Sequence, residues 1–157
     1  WRNEDSIYKQ KEFINDTLGI RSTSYNVIHF RKDTVEFNES MKAIAYLGSP
    51  LISEKNSQLM VIIGKSENNF NFDFSNENEV KLDTFYNLTI DKVNQKWFEN
   101  VNQKYFTTFG YYFESPGEKI IRGYLLEYAL GDFENEIDSL TSKTYFEKLI
   151  YVKDSIK

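Results

Sequence analysis

Hydrophobic and polar positions alternate through most of this chain. Tyr25, Val27 and His29 face one way, and Asn26, Ile28 and Phe30 the other. Met41, Ala43, Ala45 and Leu47 alternate with Lys42, Ile44 and Tyr46, and Gly48-Ser49-Pro50 breaks the run. Leu59–Ile63 is short and continuously apolar, the pattern of a strand buried on both faces, and Gly64 stops it. Asn69–Phe74 has the cleanest period of two: Phe70, Phe72 and Phe74 oppose Asn69, Asn71 and Asp73. Val80 through Ile90, Lys119–Tyr128 and Thr144–Val152 predict further strands. In the last, Phe146, Lys148, Ile150 and Val152 share a face.

Helix signals are few. Over residues 3–18, Ile7, Ile14 and Leu18 share one helical face before Gly19, so residues 1–19 are expected to form a short helix or arm. Residues 20–157 are then one β-domain. Val93-Asn94-Gln95-Lys96-Trp97-Phe98 echoes as Val101-Asn102-Gln103-Lys104-Tyr105-Phe106. The spacing fits a hairpin turning at Glu99-Asn100 or successive helical turns, with strand favoured for the second copy because β-prone residues follow it. Ser115-Pro116-Gly117-Glu118 is a turn, since proline presets φ and glycine accepts a positive one. Gly131–Ser142 reads as a polar loop. Seven or eight short strands argue for an all-β, mainly antiparallel sandwich or barrel.

Composition supports sheet: there are 13 Phe and 11 Tyr against 2 Met. The net charge of −5, with cations dispersed, argues against a nucleic-acid binder, which needs clustered cations to displace counterions from phosphates. The absence of cysteine removes disulfides, thiolate zinc sites and thiol nucleophiles together. No apolar run approaches a membrane span. The first residue is Trp1, not Met, so any export signal or lipid-anchored cysteine would lie upstream of it, and membrane attachment would come only through such an anchor.

Two stretches carry a resemblance. Thr34-Val35-Glu36-Phe37-Asn38-Glu39-Ser40-Met41-Lys42-Ala43-Ile44-Ala45-Tyr46-Leu47 resembles the opening strands of immunoglobulin-like domains in exported Bacteroidetes proteins. Ser115-Pro116-Gly117-Glu118-Lys119-Ile120-Ile121-Arg122-Gly123-Tyr124-Leu125 resembles their closing hairpin. Similar patterns occur in small surface lipoproteins and in the periplasmic shaft protein of gliding motility and type IX secretion. Asn38 stands where a turn glycine is usual. The resemblance implies an immunoglobulin-like β-sandwich located in the periplasm or on the outer-membrane surface. It further implies a non-enzymatic module that binds or scaffolds another envelope protein.

Six Asp precede Ser or Thr, and five of these continue into an aliphatic residue. This is similar to the O-glycosylation acceptor of that phylum, which makes Ser6, Thr17, Thr34, Ser139 and Ser155 candidate acceptors. Turn chemistry gives the same dipeptides without any glycan. The sequons Asn15-Asp16-Thr17, Asn38-Glu39-Ser40 and Asn87-Leu88-Thr89 are expected by chance in so Asn-rich a chain.

Catalytic chemistry is sparse. His29 is the single histidine and reads as a core or half-buried structural residue. There is no Gly-x-Ser-x-Gly elbow and no phosphate loop. Glu77, Glu79 and Asp83 lack the spacing of a calcium loop. Glu114 and Glu127 are the least ordinary acids, and a surface-facing strand position accounts for Glu127. No catalytic residue, metal or cofactor is expected. Trp97, Tyr105, Tyr111 and Tyr112 are candidates for a binding patch, with the core as the bland alternative. Other functional readings are a carbohydrate-binding module stacking sugars on those aromatics, and a small cytoplasmic immunity-type protein.

Overall fold

The computed structural model describes residues 9–14, 17–20, 26–48, 50, 56–65, 69–130 and 139–154. The class is all-β. The strands are β1 (Lys9–Ile14), β2 (Thr17–Ile20), β3 (Asn26–Phe30), β4 (Thr34–Glu36) and β5 (Met41–Leu47). They continue as β6 (Gln58–Gly64), β7 (Leu82–Tyr86), β8 (Phe106–Tyr111), β9 (Gly117–Leu130) and β10 (Ser139–Lys153). Among the described residues, a short helix, α1 (Lys92–Gln95), and a 3-10 turn (Gln103–Tyr105) precede β8.

The strands form two sheets. The larger runs β2-β1-β10-β9-β6-β7, and the smaller runs β3-β5-β8. Its backbone is the long β9–β10 hairpin, in register from Gly117↔Val152 to Leu130↔Ser139. The other edge of β10 is shared end to end. β1 pairs antiparallel with Tyr145–Glu147, and β4 pairs parallel with Tyr151–Lys153.

Both sheets contribute to one apolar cluster. Ile28, Phe30, Met41, Ala43, Ala45 and Phe109 come from the small sheet, and Leu59, Val61, Ile63, Leu125, Phe146 and Ile150 from the large one. Burying each large side chain stabilises the fold by about 1.5–3 kcal/mol. The expected alternation in β3 and β5 is observed, and β6 is buried on both faces along Val61–Gly64. Gly123 lets β6 and β9 meet there: a Cβ on it would lie 2.3 Å from the Ile62 carbonyl oxygen.

Several expectations are corrected. Residues 9–14 and 17–20 are not helical but form the β1–β2 hairpin, because an open edge of β10 offers them a ladder. The period-two segment Asn69–Phe74 is not a strand. Its polar side chains bond the local backbone instead: Asn76 Oδ1 accepts from the Asn71 N–H at 2.7 Å, and Asp73 Oδ1 from the Ser75 N–H at 3.1 Å. Phe74 takes a φ of 60°, turning the chain so that Phe70 and Phe74 pack on Ile62, Tyr124 and Tyr145 while Phe72 stays 70% exposed. This loop covers the outer face of the large sheet and is held there by Arg122 Nη1, which donates to the Phe70 carbonyl at 3.1 Å. The strand expected over residues 80–90 is confined to β7, and Ser139–Ser142, expected in a loop, belongs to β10.

Asn38 and Gly117 both adopt positive φ, 72° and 106°. Asparagine tolerates the left-handed region better than most residues, so it serves at the turn where a glycine is usual.

Candidate functional site

The segment between β7 and β8 is built on a buried amide. Asn87, fully buried, bridges Thr107 of β8 through the backbone. Its Nδ2 donates to Gln58 Oε1 at 3.1 Å and to the Leu59 carbonyl at 3.2 Å, and its Oδ1 accepts from the Thr89 N–H at 3.0 Å. The Asn87 sequon therefore lies inside the protein. Leu88, also fully buried, follows it.

Asp91 then caps α1, accepting from the Val93 and Asn94 N–H groups at 3.2 and 3.3 Å and from Asn94 Nδ2 at 2.7 Å. The two echoed copies fold against each other at equivalent positions. Gln95 Nε2 donates to Gln103 Oε1 at 2.7 Å, and the Phe98 and Phe106 rings are 4.8 Å apart. Phe106 in turn stacks on Tyr46, with the planes 4° from parallel. The first copy is thus a short helix and the second a 3-10 turn entering β8, so the echo is neither a hairpin nor one continuous helix.

This arrangement fixes two surfaces. Ile90, Val93 and Trp97 stand out to solvent from the α1 segment, Trp97 at 71% exposure with Lys96 Nζ 5.1 Å from its ring centre. Toward the small sheet lies a cleft of about 500 Å³. Its floor is Ile44, Thr108 and Gly110, its wall is Asp91, Asn94 and Phe98, and its rim holds His29, Arg31 and Lys42. His29 is exposed, contrary to the core or half-buried position expected, because the odd residues of β3 face away from the core that Ile28 and Phe30 enter.

The carboxylates around the cleft are committed locally. Asp91 is the cap. Glu39 accepts from Lys32 Nζ at 2.7 Å and from the Glu36 N–H at 3.2 Å, and these two bonds hold its carboxyl below the usual range. Lys32, Arg122, Lys143, Lys148 and Lys153 each pair with a carboxylate. Arg31 and Lys42 have no ion pair among the described residues.

The four aromatics named from sequence do not form one surface. Tyr111 is in the core, and Tyr105 packs against it with its hydroxyl 3.1 Å from Ser57 Oγ. Trp97 and Tyr112 are exposed, and Tyr112 borders a smaller cavity of about 160 Å³ shared by Arg31, Ser40 and Lys42. β8 runs core-in at Phe109 and Tyr111, which draws Tyr111 inward and leaves its neighbour outside. Glu127, read as surface-facing, is 3% exposed: it occupies an inward position of β9, paired with Leu59, and accepts from Ser57 Oγ at 2.7 Å.

Of the candidate acceptors, Thr34 is half-buried on β4. Thr17 and Ser139 lie in β2 and β10, and Ser6 and Ser155 are outside the described residues. Among the described residues, no three histidine or carboxylate side chains converge as metal ligands, and no helix is long and apolar enough to cross a membrane.

No family model, curated protein or solved structure matches the chain. Arg31 and Lys42 were not singled out from sequence. The signal that could have found them is their placement on outward positions of adjoining segments, which alternation alone provides.

Proposed function

We propose that this protein is a non-enzymatic recognition module of the cell envelope, exported to the periplasm or outer surface, that binds another envelope protein. The observation carrying this reading is the stripe Ile90, Val93 and Trp97, apolar and solvent-facing on a segment pinned by the buried Asn87. Large aromatic anchors on rigid supports are what protein interfaces use as hot spots. The finer fold reading, an immunoglobulin-like sandwich, is supported by the shared core of the two sheets and by the positive φ at Asn38 and Gly117. A sugar platform asks for exposed rings side by side, and two of the four aromatics face inward.

The test is photo-crosslinking in the cells that make the protein, with a benzophenone amino acid at position 97 and, as control, at position 65. One discrete adduct in the envelope fraction from position 97 alone is expected. No adduct, or a protein recovered from the cytosol, overturns the reading and turns attention to an immunity-type role.

A further inference from the structure

The cleft beside α1 has features that specify its occupant. Thr108, Phe109 and Gly110 are consecutive in β8, and all three line it. β8 is an outer strand of the small sheet, and beyond the Asn87–Thr107 bridge its free side pairs with no strand among the described residues. Such an edge presents unpaired N–H and C=O groups to an incoming chain. Lys42 stands opposite Gly110 in register, and the Arg31 N–H donates to the Lys42 carbonyl at 2.9 Å, so the two cations sit on adjoining segments of one face. Gly110 has no side chain to screen Lys42 from the edge. The space is also fitted to glycine, since a Cβ there would lie 3.0 Å from Ser40 Oγ and 3.2 Å from the Met41 carbonyl.

Charge sharpens the picture. The chain carries five more acids than cations, yet Arg31 and Lys42 have no ion pair among the described residues. Of the two nearby carboxylates, Asp91 is occupied by the α1 cap, and Glu39 is bonded to Lys32 and feels Arg31 only as a weaker, unbonded charge. Ile44 on the floor and Phe98 in the wall supply apolar surface beside the cations. An anion with an apolar neighbour complements this surface, and the open sheet edge favours an extended backbone over a compact ligand.

We propose that this cleft is the docking groove for an extended acidic segment of a protein partner, which adds as a strand along Thr108–Gly110 on the outer edge of β8 and sets a carboxylate against Lys42 and Arg31. The proposal rests on the recognition-module reading and gives its partner a chemistry. Alternate apolar side chains of the segment lie on Ile44 and Phe98.

The test is selection of random peptides displayed on phage against the whole chain, followed by titration of the selected peptides. Enrichment of Asp or Glu alternating with apolar residues is expected. Binding should weaken about tenfold in Arg31→Glu/Lys42→Glu, less in Arg31→Gln/Lys42→Gln, and equally when the peptide acids become amides. Both residues are exposed, so unchanged thermal melting will show that the variants fold. N-methylation of alternate peptide nitrogens should abolish binding by blocking the strand pairing. Peptides without acids, or acidic peptides indifferent to the charge reversal, overturn the proposal. So does equal binding by free 4-phenylbutyrate, which would make the cleft a small-acid site. The crosslink at position 97 is independent: if it forms while no acidic peptide is selected, the module reading stands and the groove falls.

Discussion

Phe98 and Phe106 occupy the same place in two copies of a short echo, and their rings lie 4.8 Å apart. Phe98 is therefore the side chain that lays the α1 segment onto the small sheet. Phe98→Ala should loosen this segment without unfolding the domain, because Phe98 is only half-buried and Asn87 still anchors the start of the loop. Amide hydrogen exchange should accelerate at Val93–Phe98, while β9 and β10 keep their protection. Equal acceleration throughout the protein would show that the contact supports the global fold.

Thr107 gives a test of opposite sign. Its hydroxyl is buried and, among the described residues, is the one buried side-chain polar atom without a hydrogen-bond partner. Thr107→Val keeps the shape and removes the desolvated group. Stability in urea should stay level or rise by about 1 kcal/mol. A loss of similar size would mean that the hydroxyl is satisfied in solution.

The strands that alternation predicts with residues facing a single core, β3, β5, β9 and β10, are all present among the ten described. Asn69–Phe74 alternates as cleanly and is a loop, because period two records which side chains differ, not which ladder is free to receive them. Local bonds from Asn76 and Asp73 satisfy its backbone instead. The site was less legible. Trp97 and Tyr112 stand exposed, and only the tertiary path separates them from Tyr105 and Tyr111. Arg31 and Lys42 come together through the β3–β5 pairing, and their standing without an ion pair among the described residues depends on where Glu39 and Asp91 turn. No property of the isolated residues carries that information.

Gly123 is a position where backbone meets backbone. A Cβ would lie 2.3 Å from the Ile62 carbonyl oxygen and 2.8 Å from Ile63 Cγ2. A side-chain tip can move aside, but a central strand cannot without breaking its ladder. Gly123→Ala should cost about 3 kcal/mol or more, at the upper end of overpacking effects. Denaturant midpoints decide it: a change under about 1 kcal/mol would show that β6 and β9 slide apart easily.

Lys148 projects from the core-facing side of β10 at 4% exposure, and its Nζ lies 2.6 Å from Asp33 Oδ1. Asp33 sits at the entry to β4, itself 44% exposed. Removing the carboxylate leaves a buried ammonium with one fewer partner, so Asp33→Asn should destabilise by about 1–3 kcal/mol, less than a fully enclosed pair because water reaches Asp33. Lys148→Met removes the charge as well and should cost less than Asp33→Asn. Equilibrium unfolding of both variants checks the order, and the reverse order would show that Lys148 holds the edge through partners other than Asp33.

Alkaline pH supplies a different probe, centred on the loop over the large sheet. Tyr145 is buried against Phe74 and Tyr124, and its hydroxyl donates to Glu77 Oε2 at 3.2 Å. Burial, reinforced by the Glu77 charge, pushes its phenol up to about 12. Tyr124 is raised for the same reasons, burial first and then Glu77. Tyr128 is also raised, by burial and then by Tyr86. A phenol with a higher pKa in the folded state holds its proton where the unfolded chain has released it. The unfolded state then binds fewer protons, so stability falls as pH rises. The contribution is complete below about pH 10, the unfolded value, and is lost as pH climbs through the folded one. Urea midpoints should therefore drop between about pH 9 and about pH 11.5, and the drop should be shallower in Tyr145→Phe even though that variant starts lower for want of the Glu77 hydrogen bond. Equal slopes for the two proteins would mean that Tyr145 titrates as freely in the fold as out of it, and the loop would then not seal that face of the sheet.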